Sequence, residues 1–450
     1  MSTQDFPRVL FLTAAAFNKT TGGGVTFTNL FSGWPKDRIA TAHNDPVPTT
    51  TQVCDRYYRL GEDEIHRRGL WRHVLPSIAP APISSTSSSK PSGASSFRRK
   101  LRSTREALFG KRMSDTGVLT PSLEQWVSDF RPQLLYTILG TNGMMELTQA
   151  LCRRFNLPLA IHMMDDWPEV AYCSGWLSGP ARRRKERLLG ELFGVATARM
   201  CISDAMAEAY RQRYGVSFEV FQNAVDTRRW DALINKSKMP RSPARIVYIG
   251  SILEEAQLDS VTDCCQAVAA LRSRGVDVEF HIHSPPFQTA PYRSSLEIND
   301  GIHLHDAVTD DADLFERLGA ADILLLPVNF DDDAVTYVRY SMPTKVPAYL
   351  LSSTPILVYA PDMIAQTDYA RRAGWGAVVG RRDVNALGDT IKRLLNDAAW
   401  RAQLSQAARA TAIAHHDMTK VRSGFQSLLS RAAAACADGE AFKRGEVAWN

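Results

Sequence analysis

Three stretches carry residue types suited to binding anions and hydroxyl groups. In "NKTTGGGVTFTN" (18–29), Gly22, Gly23 and Gly24 follow the short apolar run "VLFLTAAAF". Backbone N–H groups and a helix dipole at such a strand-to-helix turn meet a phosphate readily; the same glycines also suit a plain tight turn. In "LAIHMMDDWPE", His162 closes an apolar run, and Asp165 and Asp166 lie in the loop after it, where open α/β sheets place ligand groups. The alternative is a buried histidine with a helix-capping Asp. In "RYSMPTKVPAY", Pro343 suits the first turn of a helix and Ser341 or Thr344 its cap. Lys345 and Arg339 add point charges there, a combination that fits a diphosphate, or an exposed helix with a surface lysine.

The elements that must hold these residues are short apolar runs alternating with helix-length stretches: "VLFLTAAAF", "QLLYTIL", "PLAIHMM", "ARMCIS", "RIVYIGS", "VEFHIHS", "DILLLPV" and "PILVYA". Bounded by Gly, Pro or polar residues, they predict buried parallel strands in βα units, and hence two α/β sheets. At 450 residues the chain is long enough for two cores, because single cores stop growing near ~250–300 residues. The Lys/Pro/Ser-rich connector "DALINKSKMPRSPA" predicts a boundary near residues 232–244. Residues 79–96, "APAPISSTSSSKPSGASS", cannot bury a core and predict disorder. The basic segment that follows, "FRRKLRSTREALFGKR" (97–112), reads either as an amphipathic helix on an anionic membrane or as a solvated helix. "GPARRRKERLLGELFG" predicts a surface helix with one buried face.

A net charge of +5 and a pI near 8.8 suit anionic small ligands or a membrane surface and fall short of a nucleic-acid binder. Seven cysteines without CxxC spacing point to a reducing cytoplasm. The N-terminal run is too short for a signal peptide or spanning helix.

From "CISDAMAEAYRQRYGVSFEVFQNAVDTRRW" (201–230) onward the sequence resembles the retaining GT-B glycosyltransferases of the family 4 type, with Asn223, Ala224, Val225 and Asp226 where that family has Asn-Gly-Val-Asp. "RIVYIGSILEEAQLDSVTDCCQAVAALRSRGVDVEFHIHSPP", "IHLHDAVTDDADLFERLGAADILLLPV" and "SMPTKVPAYLLSSTPILVYAP" extend the likeness, in order, over the second half. The resemblance implies an α/β fold of two Rossmann-like domains facing each other across a cleft. Their expected bounds are 1–235 (acceptor side) and 242–416 (donor side), with a helix at 417–437 crossing back and a polar tail at 438–450. It implies a donor site at Gly22, Gly23, Gly24, Gly250, Ser251, His283, Arg339, Tyr340, Ser341, Thr344 and Lys345. His162, Asp165 and Asp166 are the implied catalytic and acceptor groups, and Trp167 and Asn223 the acceptor-binding ones. Trp167 and Trp176 suit stacking on a sugar face or packing in a core.

The expected activity is transfer of a sugar, with retention, from a nucleotide-sugar to a glycan or lipid-linked acceptor, without cofactor or metal and without nucleic acid. The expected location is cytoplasmic, with peripheral membrane contact through residues 97–112. Four positions depart from the family pattern: Ser251 and Gln257 stand where it places cations, and Tyr340 and Ala348 where it places glutamates. A binding protein on the same fold and a sugar-nucleotide epimerase or hydrolase are the rival expectations.

Overall fold

A computed structural model describes residues 6–19, 21–67, 114–228, 230, 240–308 and 310–435. The 79–96 insertion, the basic 97–112 segment, most of the connector and the 438–450 tail lie outside the described residues. The chain divides into two compact units, Met1–Phe221 with Arg422–Asn450, and Gln222–Val421. The division falls before the connector for a local reason: the Asn223–Val225 segment is tied into the second unit. Asn223 Nδ2 donates to the Thr344 carbonyl at 2.8 Å, Val225 N–H to the His416 carbonyl at 3.0 Å, and Met418 N–H to the Val225 carbonyl at 3.0 Å.

The first unit contains β1 (Val9–Thr13), β2 (Ile39–His43), β3 (Arg56–Arg59), β4 (Ile65–Arg67), β5 (Asp115–Gly117), β6 (Leu134–Thr137), β7 (Leu159–Met163), β8 (Ala198–Cys201) and β9 (Glu219–Val220). Seven form one parallel sheet in the order β3-β2-β1-β6-β7-β8-β9, and β4 and β5 pair antiparallel beside it. Its core is aromatic. Phe11 lies 5.3 Å from Phe17, 5.1 Å from Phe27 and 4.9 Å from Tyr136, and Phe425 of the helix Met418–Ala434 packs edge-on against Phe31 at 5.1 Å. Such offset and edge-to-face pairs add to the area they bury.

The second unit contains β10 (Ala244–Ile249), β11 (Val278–His283), β12 (Ile302–His305), β13 (Ile323–Pro327), β14 (Ile356–Tyr359) and β15 (Gly376–Val379), all parallel in the order β12-β11-β10-β13-β14-β15. Counted within the unit this is the doubly wound order 3-2-1-4-5-6, whose strand-end crevice lies where the order reverses, beside β10 and β13. Ile246, Tyr248, Phe280 and Ile282 pack one face of the sheet, and Val247, Ile249 and Leu324 the other. Polar residues fix the helix starts: Ser203 accepts from Met206 N–H at 3.2 Å and Asp331 from Ala334 N–H at 2.9 Å. Asp331 therefore caps the helix Asp332–Val338, with Asp332 and Asp333 in its first turn. Among the described residues no helix is long and apolar enough to cross a membrane.

Candidate functional site

The strand ends of the second unit gather the strongest group. Past β10 the backbone turns through Gly250 at φ +146°, and its N–H donates to the His283 carbonyl at the end of β11, 2.9 Å away. A Cβ at Gly250 would lie 2.2 Å from Lys345 Nζ. The positive φ favours glycine here, and the lysine ammonium fills the space a side chain would take, so a Cβ would push the lysine aside. Lys345 Nζ sits 4.3 Å from the centroid of the Tyr248 ring, a cation–π position, and Tyr248 Oη donates to the Ser251 carbonyl at 2.5 Å. The lysine as a whole is half-buried, but desolvation around its ammonium pulls the pKa down to about 7. Gly250, Ser251, His283 and Lys345 thus meet at the ends of β10 and β11. His283 is buried and held neutral, its pKa pushed down to about 4 by desolvation, with His305, Arg317 and His281 adding to the effect. Tyr248 is not legible as a site residue in the sequence, since it sits inside the apolar run "RIVYIGS" and reads there as core.

Lys345 is presented differently from the expectation. The helix is Val346–Leu351, with Lys345 rather than Ser341 or Thr344 at its N-cap position, and Pro343 precedes its first turn. Pro347 explains the start: a proline lacking N–H is accommodated in the first turn but not further in. Ser341 N–H donates to the Val338 carbonyl at 2.9 Å, and Tyr340 is half-buried beside it. Arg339 is exposed, its carbonyl accepting from Ala365 N–H at 2.7 Å. Asn223, expected on the acceptor side of the first domain, instead belongs to the second unit and pins Thr344, one residue before Lys345.

In the first unit the glycines are the opening turn of the helix Gly22–Phe31 rather than a loop before it. Thr21 caps it, its hydroxyl accepting from Gly24 N–H at 3.2 Å. Asn18, almost fully buried, donates to the Ala16 carbonyl at 3.0 Å and accepts from Thr21 N–H at 2.8 Å. A Cβ on Gly24 would lie 2.2 Å from the Asn18 amide nitrogen, so this glycine serves packing. Gly22 is exposed and Gly23 half-buried, and both keep their backbone near the surface.

The expected catalytic pair needs correction. His162 is fully buried within β7, with Nδ1 2.7 Å from Tyr136 Oη and Nε2 3.2 Å from the Phe221 carbonyl. A carbonyl only accepts, so Nε2 carries the proton and Nδ1 accepts from the tyrosine. Both ring nitrogens are spent on packing, neither is left for a sugar hydroxyl, and burial pushes the pKa down to about 4. Asp166 is likewise committed: it accepts from Tyr210 Oη at 2.9 Å and from Arg213 at 2.9 and 3.3 Å. Asp165 is half-buried in the same loop, and Trp167 is half-buried with its Nε1 enclosed and without a hydrogen-bond partner. Trp176 is 85% exposed, which removes the core reading for it.

No curated protein matches the chain by sequence. Among solved structures it is similar in fold to a sucrose-phosphate synthase from Thermosynechococcus elongatus, with TM-score 0.61, 13% identity, and 95% of this chain and 100% of that chain covered. It is also similar to HepE of Anabaena in complex with UDP-glucose, at TM-score 0.59 and 10% identity, covering 94% of this chain and 99% of that one. A glycosyltransferase from Rickettsia africae gives TM-score 0.58 at 9% identity, with 95% and 98% covered. At these identities the likeness establishes the two-domain α/β fold of GT-B glycosyltransferases. The sequence adds that residues 243–397, which hold Gly250, Ser251, His283 and Lys345, match the family of glycosyl transferases group 1.

Proposed function

We propose that the chain is a glycosyltransferase that moves a sugar from a nucleotide-activated donor to a hydroxyl group of a glycan or lipid-linked acceptor, with retention of configuration. The observation that carries this reading is Lys345 lodged against Gly250 and Tyr248 at the strand ends of the unit that holds the group 1 match. A diphosphate at this point meets the Lys345 ammonium and the backbone N–H of Ser251, the Gly250 N–H being held by the His283 carbonyl. Its charge raises the lysine pKa again and restores the full cation. As the bond from the anomeric carbon to the diphosphate breaks, negative charge grows on the phosphate oxygen and Lys345 stabilises it. The acceptor hydroxyl attacks from the same face and gives its proton to the departing phosphate. Gly22 and Gly23 are assigned to donor binding, and Asp165 and Trp167 to the acceptor. His162 and Asp166 position the elements around them and touch no substrate.

The bound ligand of the HepE structure puts UDP-glucose first in a donor panel. WaaG, a fold neighbour that is a glycosyltransferase involved in lipopolysaccharide biosynthesis, supports a lipid-linked glycan as acceptor class. Nucleotide-sugar turnover by the purified chain, read by mass analysis of products, tests the proposal. Lys345→Met is expected to lower kcat/KM by ~100-fold, the scale for loss of one group that stabilises developing charge. Undiminished turnover in that variant removes the site assignment. Nucleotide binding without turnover identifies a binding protein, and sugar release without acceptor identifies a hydrolase.

A further inference from the structure

One face of β11 and β12 carries a ladder of imidazoles of which the transferase reading uses only His283. Along β11, Val278, Phe280 and Ile282 turn into the core, so Glu279, His281 and His283 share the opposite face. The parallel register sets His281 opposite His303 and His283 opposite His305. The rings stack, with centroids 4.7 Å apart for His281 and His303 and 4.5 Å for His283 and His305.

One carboxylate faces two of these rings. Glu279 Oε2 is 3.1 Å from His281 Nε2, and Oε1 is 3.7 Å from His303 Nε2. His303 Nε2 is enclosed and has no hydrogen-bond partner. One ligand atom from each of Glu279, His281 and His303 lies within 4.8 Å of the others. Around a tetrahedral zinc with bonds of ~2.0–2.2 Å, ligand atoms stand ~3.4 Å apart, and each imidazole already lies near that distance from one or the other oxygen of Glu279. The second shell is also in place. A His281 ring that ligates through Nε2 carries its proton on Nδ1, and Nδ1 lies 3.0 Å from His305 Nε2, which accepts it. Arg317, on the helix Asp311–Ala320, is paired with Asp313 at 2.8 Å.

We propose that Glu279, His281 and His303 bind a divalent transition metal of the zinc class, leaving a fourth position for water, with His305 orienting His281. Two neutral imidazoles and one carboxylate are the donor set such ions select. The ion fastens edge strand β12 to β11 and sits two residues before His283, so it braces the strand whose end borders the donor site. The inference is independent of the transferase reading, because metal binding is measured without turnover.

Tag-free full chain, stripped with chelator and dialysed, is titrated with Zn2+ by calorimetry. One Zn2+ per chain is expected, with His303→Gln and Glu279→Gln each weakening binding at least ~10-fold. His415→Gln, an exposed histidine elsewhere in the unit, is expected to change nothing. Zn2+ should also raise the Tm of the parent chain and of His415→Gln, and not that of His303→Gln. Absence of stoichiometric binding in the parent chain overturns the site without reference to any variant. Equal affinity in the parent and the two site variants overturns it as well.

Discussion

Lys345 occupies the space that a side chain at Gly250 would take, and that contact makes the donor site testable one residue at a time. Gly250→Ala adds a Cβ 2.2 Å from the ammonium and 3.0 Å from Lys345 Cε, at a φ that L residues seldom adopt, so the lysine must leave the Tyr248 face. Nucleotide affinity measured by calorimetry is expected to fall by ~10-fold or more, in line with the ~1.5–3 kcal/mol of a hydrogen bond to a charged group. The lysine also sets a pH dependence. Its pKa near 7 in the ligand-free chain rises on diphosphate binding, so affinity is full below pH 7 and declines as pH rises above it. Lys345→Arg, which stays charged, is expected to flatten that profile. The two aspartates should separate by readout. Asp166→Asn breaks a buried carboxylate's bond to Arg213 and is expected to cost ~2–3 kcal/mol in urea unfolding. Asp165→Asn is expected to lower kcat/KM and leave the unfolding midpoint near its parent value. The adjacent "DD" hides this difference in the sequence, because Tyr210 and Arg213 reach Asp166 from 44 and 47 positions away. His162 misleads for the same reason: Tyr136 and Phe221, which occupy its two nitrogens, are 26 and 59 positions distant. Spacing along a chain reports local geometry, and these residues are decided by long-range packing.

At the scale of elements the eight apolar runs correspond to β1, β6, β7, β8, β10, β11, β13 and β14; most are central parallel strands buried on both faces and so continuously hydrophobic, while β11 alternates, with its apolar residues on one face. "IATAH" (β2), "RYYR" (β3) and "GAVV" (β15) do not read as strands; small, polar or basic residues dilute their apolar signal, and β3 and β15 are sheet edges. Helix starts are less legible where two candidates compete. In "SMPTKVPAY" both prolines suit a first turn, and the structure uses Pro347. The triple glycine shows the limit from the other side, since adjacent glycines have different reasons to be there. Gly24→Ala must displace the Asn18 amide that holds Ala16 and Thr21, and is expected to destabilise by ~1–3 kcal/mol, the cost of broken buried hydrogen bonds. At Gly23 a new Cβ meets only Ala15 Cβ at 3.6 Å and Phe27 at 3.7 Å, ordinary contacts. Gly23→Ala should therefore hold or raise stability, by up to ~1 kcal/mol from helix propensity. Weaker nucleotide binding in this stable variant would place the backbone of this turn against the donor, and unchanged binding would remove Gly23 from the site.

Taken as a whole, the molecule has two cores, each closing over one fully buried, neutral histidine, and these two, together with His283, make it sensitive to acid. In the first unit His162 is shut between Tyr136 and Phe221; in the second, His416 donates from Nδ1 to the Asn223 carbonyl at 3.2 Å and accepts at Nε2 from Tyr369 Oη at 3.1 Å. Both pKa values are pushed down to about 4, by desolvation first of all, with His415 adding to the effect on His416. The unfolded chain, with histidine near ~6.5, binds more protons than the native one between pH 4 and 6.5. Stability therefore rises with pH across that window, is fully present above it, and is lost as pH falls. Moving from pH 7.5 to 5.5 should remove ~1 kcal/mol through each histidine, toward a ceiling of ~3 kcal/mol near pH 4. A chain with two cores need not unfold in one step, so a single midpoint cannot report both losses. Hydrogen exchange corrected for its intrinsic pH dependence can, by following the β7 peptide and the 411–418 peptide separately at the two pH values. His162→Gln should flatten the response at β7 alone, and His416→Gln that at 411–418 alone. If either substitution flattened both, the two cores would open as one unit; if neither did, burial of these histidines would not be the source of the acid sensitivity.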